Sequence, residues 1–513
     1  MDNRIASERK FFALQRKYAR EYHQQFFRKD LLIKKYHNLV EEGKIKSDKL
    51  VESLLRVRSV RSLSGVVSIS VLTKPYKCPG HCLYCPNQPG MPKSYLKEEP
   101  AVQRAVANNF DPYMQVQSRI RALEAIGHQT GKISIRIVGG TWSYYGKRYQ
   151  TWFVRRLFQA CNDFPATLSM PVSLCQAQDD NEKSVRRVVE MGVETRQDFI
   201  NHDEIKRLRW LGITKVELGV QSIHDDVLKK NNRGNLNIDT INATKMLKNA
   251  GFKVSYQMMP NLYGSSIIRD EKMFQEIFSN EEYMPDHLKI YPLAVMKEAP
   301  LYKLYEEKRF KIYSNEELMN LIIKIKQIVP YWCRIERVIR DIPAKYIMAG
   351  CKTSNMRQLI HEKMREQGVW CKCMRCREIR KNQNYKDLET FREDFISSGS
   401  RESFLSIESK DRKDLYAILR LRLPGQKDNF IKILNDSAIV RELHVYGRLV
   451  SISQLDTVSA QHKGLGRKLV RLAEKIARDA KCKKISVIAG VGARPYFRAL
   501  GYELKNTYMV KSF

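Results

Sequence analysis

Three cysteines in Lys77-Cys78-Pro79-Gly80-His81-Cys82-Leu83-Tyr84-Cys85-Pro86 are spaced C-x3-C-x2-C. Thiolates at that spacing can ligate three irons of a four-iron, four-sulfur ([4Fe-4S]) cluster, where a closed cubane takes four cysteines. The remaining iron is open to the amino and carboxylate groups of S-adenosylmethionine. An electron from the cluster can then cleave the sulfonium into methionine and a 5'-deoxyadenosyl radical. The competing reading is a structural zinc knuckle short of one ligand. Tyr84 before Cys85 and the downstream Gly139-Gly140-Thr141 favour the radical chemistry.

A second group, Cys371-Lys372-Cys373-Met374-Arg375-Cys376, packs three thiols into six positions. A closed zinc site needs four ligands, so one comes from elsewhere. Cys333 is the first choice and Cys351 the second, and the bland alternative is three surface thiols without metal. Arg334, Arg337 and Arg340 nearby can face a phosphate backbone or simply solvent. Further on, Gln461-His462-Lys463-Gly464-Leu465-Gly466-Arg467 opens a helical stretch after a strand. Its glycines permit a tight turn, and the free N-H groups of a helix start, with the helix dipole, can hold the phosphates of a ligand. Glu442 and His444, two apart on one strand, share a face and can line an acyl site.

The elements that must position these residues alternate. Strand patterns at Val66–Leu72, Ile133–Val138, Val188–Glu194, Lys215–Val220, Lys253–Met258 and His287–Tyr291 are interleaved with amphipathic stretches. That alternation implies parallel βα units. Six such units make a partial (βα)6 barrel, with cofactor sites at the carboxyl ends of its strands. The cysteine loop, Gly139, Gly140 and Thr141, Glu194, Gln221 with Ser222, and Met258-Met259-Pro260 each follow a strand, so all are expected at one mouth. There glycines let backbone approach the methionine end of the cofactor, and Glu194 can accept from ribose hydroxyls. The cysteine loop and these strand ends together resemble the radical S-adenosylmethionine (SAM) superfamily.

After a zinc-stabilised linker, Leu415–Leu423 and Ile439–Tyr446 read as antiparallel strands. The glycine loop, the strand Lys484–Ala489 and Arg494-Pro495-Tyr496-Phe497 follow them. The set resembles an α+β GNAT acyltransferase domain, which implies that Tyr496 reaches the thioester sulfur as a catalytic residue, where its phenol can protonate a leaving thiolate. The chain of 513 residues thus divides into 1–62, a basic arm; 63–330, the radical domain; 331–400, the linker; and 401–513, the acyltransferase domain.

Composition limits the partner. Lys and Arg number 91 against 56 Asp and Glu, a formal charge of +35 with a pI near 9.7, which calls for a polyanion. The arm holds sixteen basic and eight acidic residues with Phe11, Phe12, Tyr18, Tyr22, Phe26, Phe27 and Tyr36 interleaved. Its cations can meet phosphates and its rings can stack on bases, or it can be an amphipathic helical cap. No apolar run of about eighteen residues exists, and the start Met1-Asp2-Asn3-Arg4 is too polar for a secretory signal, so no membrane role and a cytoplasmic location are expected. Of the eleven cysteines, six sit in the two short groups with Cys333 within reach, a pattern that suits metals in a reducing compartment.

A radical domain joined to a GNAT domain resembles the family of the Elongator catalytic subunit. Glu217-Leu218-Gly219-Val220-Gln221-Ser222, Asn232-Arg233-Gly234, Arg340-Asp341-Ile342-Pro343, Arg441–Gly447 and Tyr508-Met509-Val510-Lys511 carry the resemblance, over roughly 63–513. It implies a tRNA-modifying acyltransferase that forms 5-carboxymethyluridine at the wobble position. Acetyl-coenzyme A would be held by Glu442, Leu443, His444, Val445, Gly464, Leu465, Gly466 and Tyr496, with Lys132 near its acetyl end. The implied partners are the tRNA anticodon stem-loop and other Elongator-type subunits. Three features depart from the family: the short first cysteine gap, Gln197 in place of proline, and Asn261-Leu262-Tyr263-Gly264 in place of a Gly- and Pro-bearing loop. A protein lysine acetyltransferase with a structural cluster, and an inactive tRNA-binding scaffold, are the other classes compatible with these residues.

Overall fold

The computed structural model describes residues 8–22, 29–56, 65–163, 172–379, 387–425, 429–447 and 464–513. Parts of the basic arm, including Phe26 and Phe27, and the loop residues Gln461, His462 and Lys463 lie outside these residues.

The first sheet is parallel throughout, and its strands neighbour one another in chain order. They are β1 (Val67–Leu72), β2 (Lys132–Val138), β3 (Arg187–Thr195), β4 (Lys215–Gln221), β5 (Lys253–Met258), β6 (His287–Ile290) and β7 (Arg334–Val338). The expected half-barrel is present, and β7 adds a seventh strand from the segment assigned to the linker. Side chains alternate faces along each strand. Val216, Leu218, Val254, Tyr256, Leu288, Ile290 and Ile335 pack into the main apolar core. Their neighbours Lys215, Glu217, Lys289 and Glu336 meet each other and Arg136 inside the barrel.

Helices close the apolar side, and their starts follow from local sequence. Asp111 caps Pro112–Glu124 by accepting the Met114 amide at 2.8 Å. Ser314 and Glu317 cap Asn315–Ile328 reciprocally, Ser314 Oγ accepting the Glu317 amide at 3.1 Å and Glu317 accepting the Ser314 amide at 2.7 Å. These helices bury Val116, Ile120 and Leu123, and Leu318, Leu321, Ile322 and Ile325.

The second sheet is mixed. Its strands are β8 (Leu388–Ser397), β9 (Ser400–Ser409), β10 (Leu415–Arg422), β11 (Ser437–Val445), β12 (Lys484–Val487), β13 (Glu503–Lys505) and β14 (Tyr508–Ser512). Their order is β13-β14-β12-β11-β10-β9-β8. It therefore starts inside the expected linker. β8 pairs along its whole length with β9 through Ser398-Gly399, whose φ of 50° and 73° suit a two-residue hairpin turn. Helix Leu465–Asp479 lays Leu469, Val470, Ala473, Ile476 and Ala477 on this sheet.

The two sheets are joined by buried charges. A register shift opposite Arg420 and Leu421 makes Arg441 the extra residue of β11, and a bulge re-aims side chains. Arg441 and Glu442, though adjacent, consequently both meet barrel residues: Arg441 grips Asp286 at 2.5 and 2.9 Å, and Glu442 accepts from Lys253 at 3.3 Å.

At the amino end, helices Glu8–Glu21, Lys29–Glu41 and Lys49–Leu55 share a small core of Phe11, Ile33, Tyr36 and Leu55. Arg56 Nε donates to Gly127 O at 2.7 Å and ties them to the barrel. Two of the rings expected to stack on bases, Phe11 and Tyr36, are thus core, whereas Phe12, Tyr18 and Tyr22 are exposed. Among the described residues no helix is long and apolar enough to cross a membrane.

Candidate active site

Cys78, Cys82 and Cys85 line a cavity of about 340 Å³ together with Gly140, Thr141, Glu194 and Gln221, beyond the carboxyl ends of the barrel strands. The turn after β2 depends on glycine. Gly139 has φ of 130°, and a Cβ there would overlap the Thr73 hydroxyl. Gly139 and Ser222 are not in the cavity wall. Ser222 is buried and its hydroxyl accepts the His224 amide at 3.2 Å, so it shapes the turn after β4.

Glu194 is more committed than its sequence position indicates. Its Oε1 accepts from Arg136 at 2.9 Å and Gln257 at 3.1 Å, and its Oε2 accepts the Tyr95 hydroxyl at 2.8 Å. A carboxylate has about four acceptor sites, so little capacity is left for a ribose. Arg136 also binds Glu217 at 2.9 Å. Burial alone would raise the Glu217 carboxyl, yet Arg136, Lys289 and Lys215 hold it far below the usual carboxylate range.

Two departures from the family pattern lie outside this wall and are held by hydrogen bonds. Gln197 is buried, donates to Thr240 Oγ1 at 3.1 Å and accepts from Arg233 at 3.5 Å. Asn261, at φ of 69°, takes the Tyr313 amide at 2.7 Å and donates to Lys311 O at 3.2 Å, while its own amide binds Asp270 at 2.7 Å. Arg334 and Arg340 do not present themselves to a phosphate backbone. Arg334 pairs with Glu378 at 2.8 Å, and Arg340 with Glu99 at 2.8 Å and with Ser94. Arg337 and Arg340 both line the cavity, and Arg337, the more exposed of the two, is paired to Asp341 at 3.0 Å.

The residues fit a cluster. Three thiols share one wall, and beside them the Tyr84 hydroxyl is buried without a hydrogen-bond partner among the described residues. A single tetrahedral ion with Zn–S bonds of about 2.3 Å needs sulfurs closer together. Among the described residues Cys371, Cys373 and Cys376 form the group with ligand atoms all within 4.8 Å of one another. Neither Cys333 nor Cys351 belongs to that group. Cys333 is buried in the same core as Cys371 and Cys373, and His361 is a second candidate fourth donor, its Nε2 3.8 Å from Cys376 Sγ.

The acyl half assembles around Gly464. It sits at φ of 72° before helix Leu465–Asp479, whose start has no side-chain cap. A Cβ at Gly466 would lie 2.9 Å from the Tyr496 hydroxyl and 3.3 Å from Val445 Cγ2, so Val445, Gly466 and Tyr496 converge. Burial raises the Tyr496 phenol, and its proton is retained at neutral pH. β11 pairs with β12 over Ser437–Val440 and then runs on unpaired with it to Val445. Leu443 packs into the sheet core, and His444 lies 4.3 Å from the Tyr446 ring. The Glu442 side chain is engaged by Arg420 at 2.8 Å and by Lys253. Lys132 lies at the amino end of β2, away from the cysteine mouth and in register with Arg187, against which Gly492 packs. Burial, then Arg187, brings its ammonium down to about 8.

The profile of the radical SAM superfamily matches residues 73–277, the radical SAM C-terminal domain 285–366, and the acetyltransferase (GNAT) family 458–502. The tRNA uridine(34) acetyltransferase of Methanocaldococcus infernus is 42% identical over 480 residues, covering 90% of this chain and 88% of that protein. Human Elongator complex protein 3 is 34% identical, covering 90% and 87%. The chain belongs to the Elongator complex protein 3 family. The solved structure of the archaeal family member from M. infernus, with residues 1–46 deleted, superposes with a TM-score of 0.77 at 39% identity, over 88% of this chain and 100% of that one. As a member of this family the chain is an enzyme of the acyltransferase class built on a radical SAM fold.

Sequence reading missed Arg136, Tyr95, Gln257 and His361. Arg136 and Gln257 have a signal, the polar residue at every second position of an otherwise apolar strand. Tyr95 and His361 have none, because only folding brings them to their partners.

Proposed function

We propose that this enzyme modifies uridine 34 of tRNA, using acetyl-coenzyme A and S-adenosylmethionine to form 5-carboxymethyluridine. What supports the reading most is one chain holding a three-thiol mouth and a GNAT domain, among relatives named for tRNA uridine(34) acetylation. Cys78, Cys82 and Cys85 would hold a [4Fe-4S] cluster, which with S-adenosylmethionine supplies a 5'-deoxyadenosyl radical at the mouth. Gly140 and Thr141 would border the methionine end of that cofactor, Gln221 lies within reach of it, and Glu194 orients Arg136 and Gln257 beneath it. Gly464, Leu465 and Gly466 would present backbone N-H groups to the coenzyme A phosphates. Tyr496 would deliver a proton to the thiolate sulfur when the thioester is cleaved. Lys132 would act at the amino end of the barrel, where the acyl domain docks. The net positive charge suits a tRNA substrate. Cys371, Cys373, Cys376 and His361 would hold zinc that braces the segment between the sheets.

Nucleoside mass spectrometry tests the reading. Protein reconstituted with iron and sulfide is incubated anaerobically with tRNA, acetyl-coenzyme A, S-adenosylmethionine and dithionite. Carboxymethyluridine is expected from the native chain and absent from Cys82→Ala, Cys85→Ala. Cluster-loaded native protein that binds tRNA but forms no product would overturn it.

A further inference from the structure

The cysteine loop is held by the segment that follows β4. Leu83 N donates to Asn231 O at 3.0 Å, and two residues on Arg233 turns back beneath the loop. Arg233 is 5% exposed. Its Nη2 donates to Gly219 O at 2.6 Å and to Gln197 Oε1 at 3.5 Å, while its carbonyl accepts from Arg196 Nη1 at 2.9 Å. Those contacts leave Nη1 directed at Cys82 Sγ, 3.5 Å away. Gly219 is part of the arrangement, since a Cβ there would lie 3.0 Å from Arg233 Nη2 and 2.9 Å from Gln221 Nε2 and crowd both. The three sulfurs are therefore not equivalent. Cys78 Sγ accepts the Gly80 amide at 3.5 Å, whereas Cys82 meets a full positive charge in a buried setting, within one apolar cluster with Tyr84.

We propose that Arg233 sets the reduction potential of the cluster held by Cys78, Cys82 and Cys85, with Gln197 and Gly219 as the residues that position its guanidinium on the Cys82 sulfur. The inference rests on the cluster reading above. Accepting one electron makes the cluster with its three thiolates one unit more negative, while the guanidinium charge is constant. The charge and its hydrogen bond therefore favour the reduced side and raise the midpoint potential. No bond is made or broken in this step. The electron comes from a low-potential one-electron donor, which in the test is dithionite. Arg233 is a positioning residue for electron uptake and need touch neither S-adenosylmethionine nor RNA.

The test is a redox titration of the reconstituted full-length protein, followed by electron paramagnetic resonance without S-adenosylmethionine or tRNA. Iron and sulfide content are measured on each sample. Arg233→Gln is expected to lower the reduced-to-oxidised ratio at fixed poise at least tenfold, about 59 mV for a one-electron couple. Arg233→Lys, which keeps the charge, should recover part of the loss, and Gln197→Ala should shift the potential in the same direction by less. An unchanged potential and spectrum in fully loaded Arg233→Gln would overturn the proposal. Should that variant fail to retain the cluster, Gly219→Ala decides, because it displaces the guanidinium while leaving the loop contacts of Asn231 in place; an unchanged potential there overturns the proposal as well. Native protein that takes up no stoichiometric iron and sulfide would instead sink the cluster reading itself.

Discussion

At the scale of single residues, the mouth is built by backbone that tolerates little change. Gly139 combines φ of 130° with contact against Thr73, whose hydroxyl lies 2.8 Å from that of Tyr145. Gly139→Ala imposes strain of about 1–3 kcal/mol and pushes Thr73 away from Tyr145. Urea unfolding should show a loss of that size together with weaker S-adenosylmethionine binding by calorimetry. A variant as stable and as tight as the native protein would mean that the turn relaxes freely. Asn261 solves a similar problem differently. It occupies φ of 69° where glycine is the usual choice, and offsets the strain with its bonds to Tyr313 and Lys311.

At the scale of elements, the inward positions of the parallel strands form a ladder of charge. From Glu194 it passes through Arg136 and Glu217 to Lys289 and Lys215, and on to Glu336, His287 and Glu442. Glu190 belongs to the same interior, beside Lys253 and with Ser134 donating at 2.7 Å. Burial would raise its carboxyl, but Lys253 and Lys215 outweigh that and bring it down to about 2. A carboxylate depressed in the folded state contributes stability in full above its unfolded value of about 4.3 and loses it as pH falls toward the folded value. Thermal melts of the native protein should therefore fall steeply between pH 4.3 and 2, and Glu190→Gln should fall less steeply there. Parallel pH profiles would remove Glu190 from the account.

The cysteine segment gives a second prediction at this scale. With His361 as the fourth ligand, Cys373→Ser, Cys376→Ser and His361→Ala should each lose zinc on dialysis, while Cys333→Ser keeps it. Metal analysis that finds zinc lost from Cys333→Ser and kept by His361→Ala would make Cys333 the fourth ligand instead.

At the scale of the whole molecule, the barrel and the second sheet are locked by charges that neither would bury alone. Arg441 is fully buried between Asp286 of the barrel and Glu402 of β9. Arg494 and Arg498 meet Glu182, Tyr508 donates to Ala250 O at 2.8 Å, and Arg422 reaches Asn249. Removing one member of a buried pair strands its partner, a cost of about 3–5 kcal/mol. Arg441→Ala should lose that amount in urea unfolding and separate one transition into two. A single transition at the native midpoint would show that the sheets do not depend on each other.

Much of this protein was determined by sequence alone. Local spacing carries the cysteine trios, the glycine loop and the alternation of strands and helices, because each depends on residues within one or two turns of chain. The inward ladder is also foreshadowed, since Lys215, Glu217, His287 and Lys289 stand at every second position of apolar strands. Tertiary structure decided what lies between segments far apart in sequence. It brought His361 within 3.8 Å of Cys376, placed β8 in the acyl sheet and Arg334 of β7 against Glu378, and filled Glu194 with Arg136, Tyr95 and Gln257. It also turned the Arg233 guanidinium onto Cys82, 151 residues earlier in the chain. No local pattern encodes such contacts: a buried charge takes whichever partner the packed fold delivers, and the cost of leaving it unpaired fixes that choice.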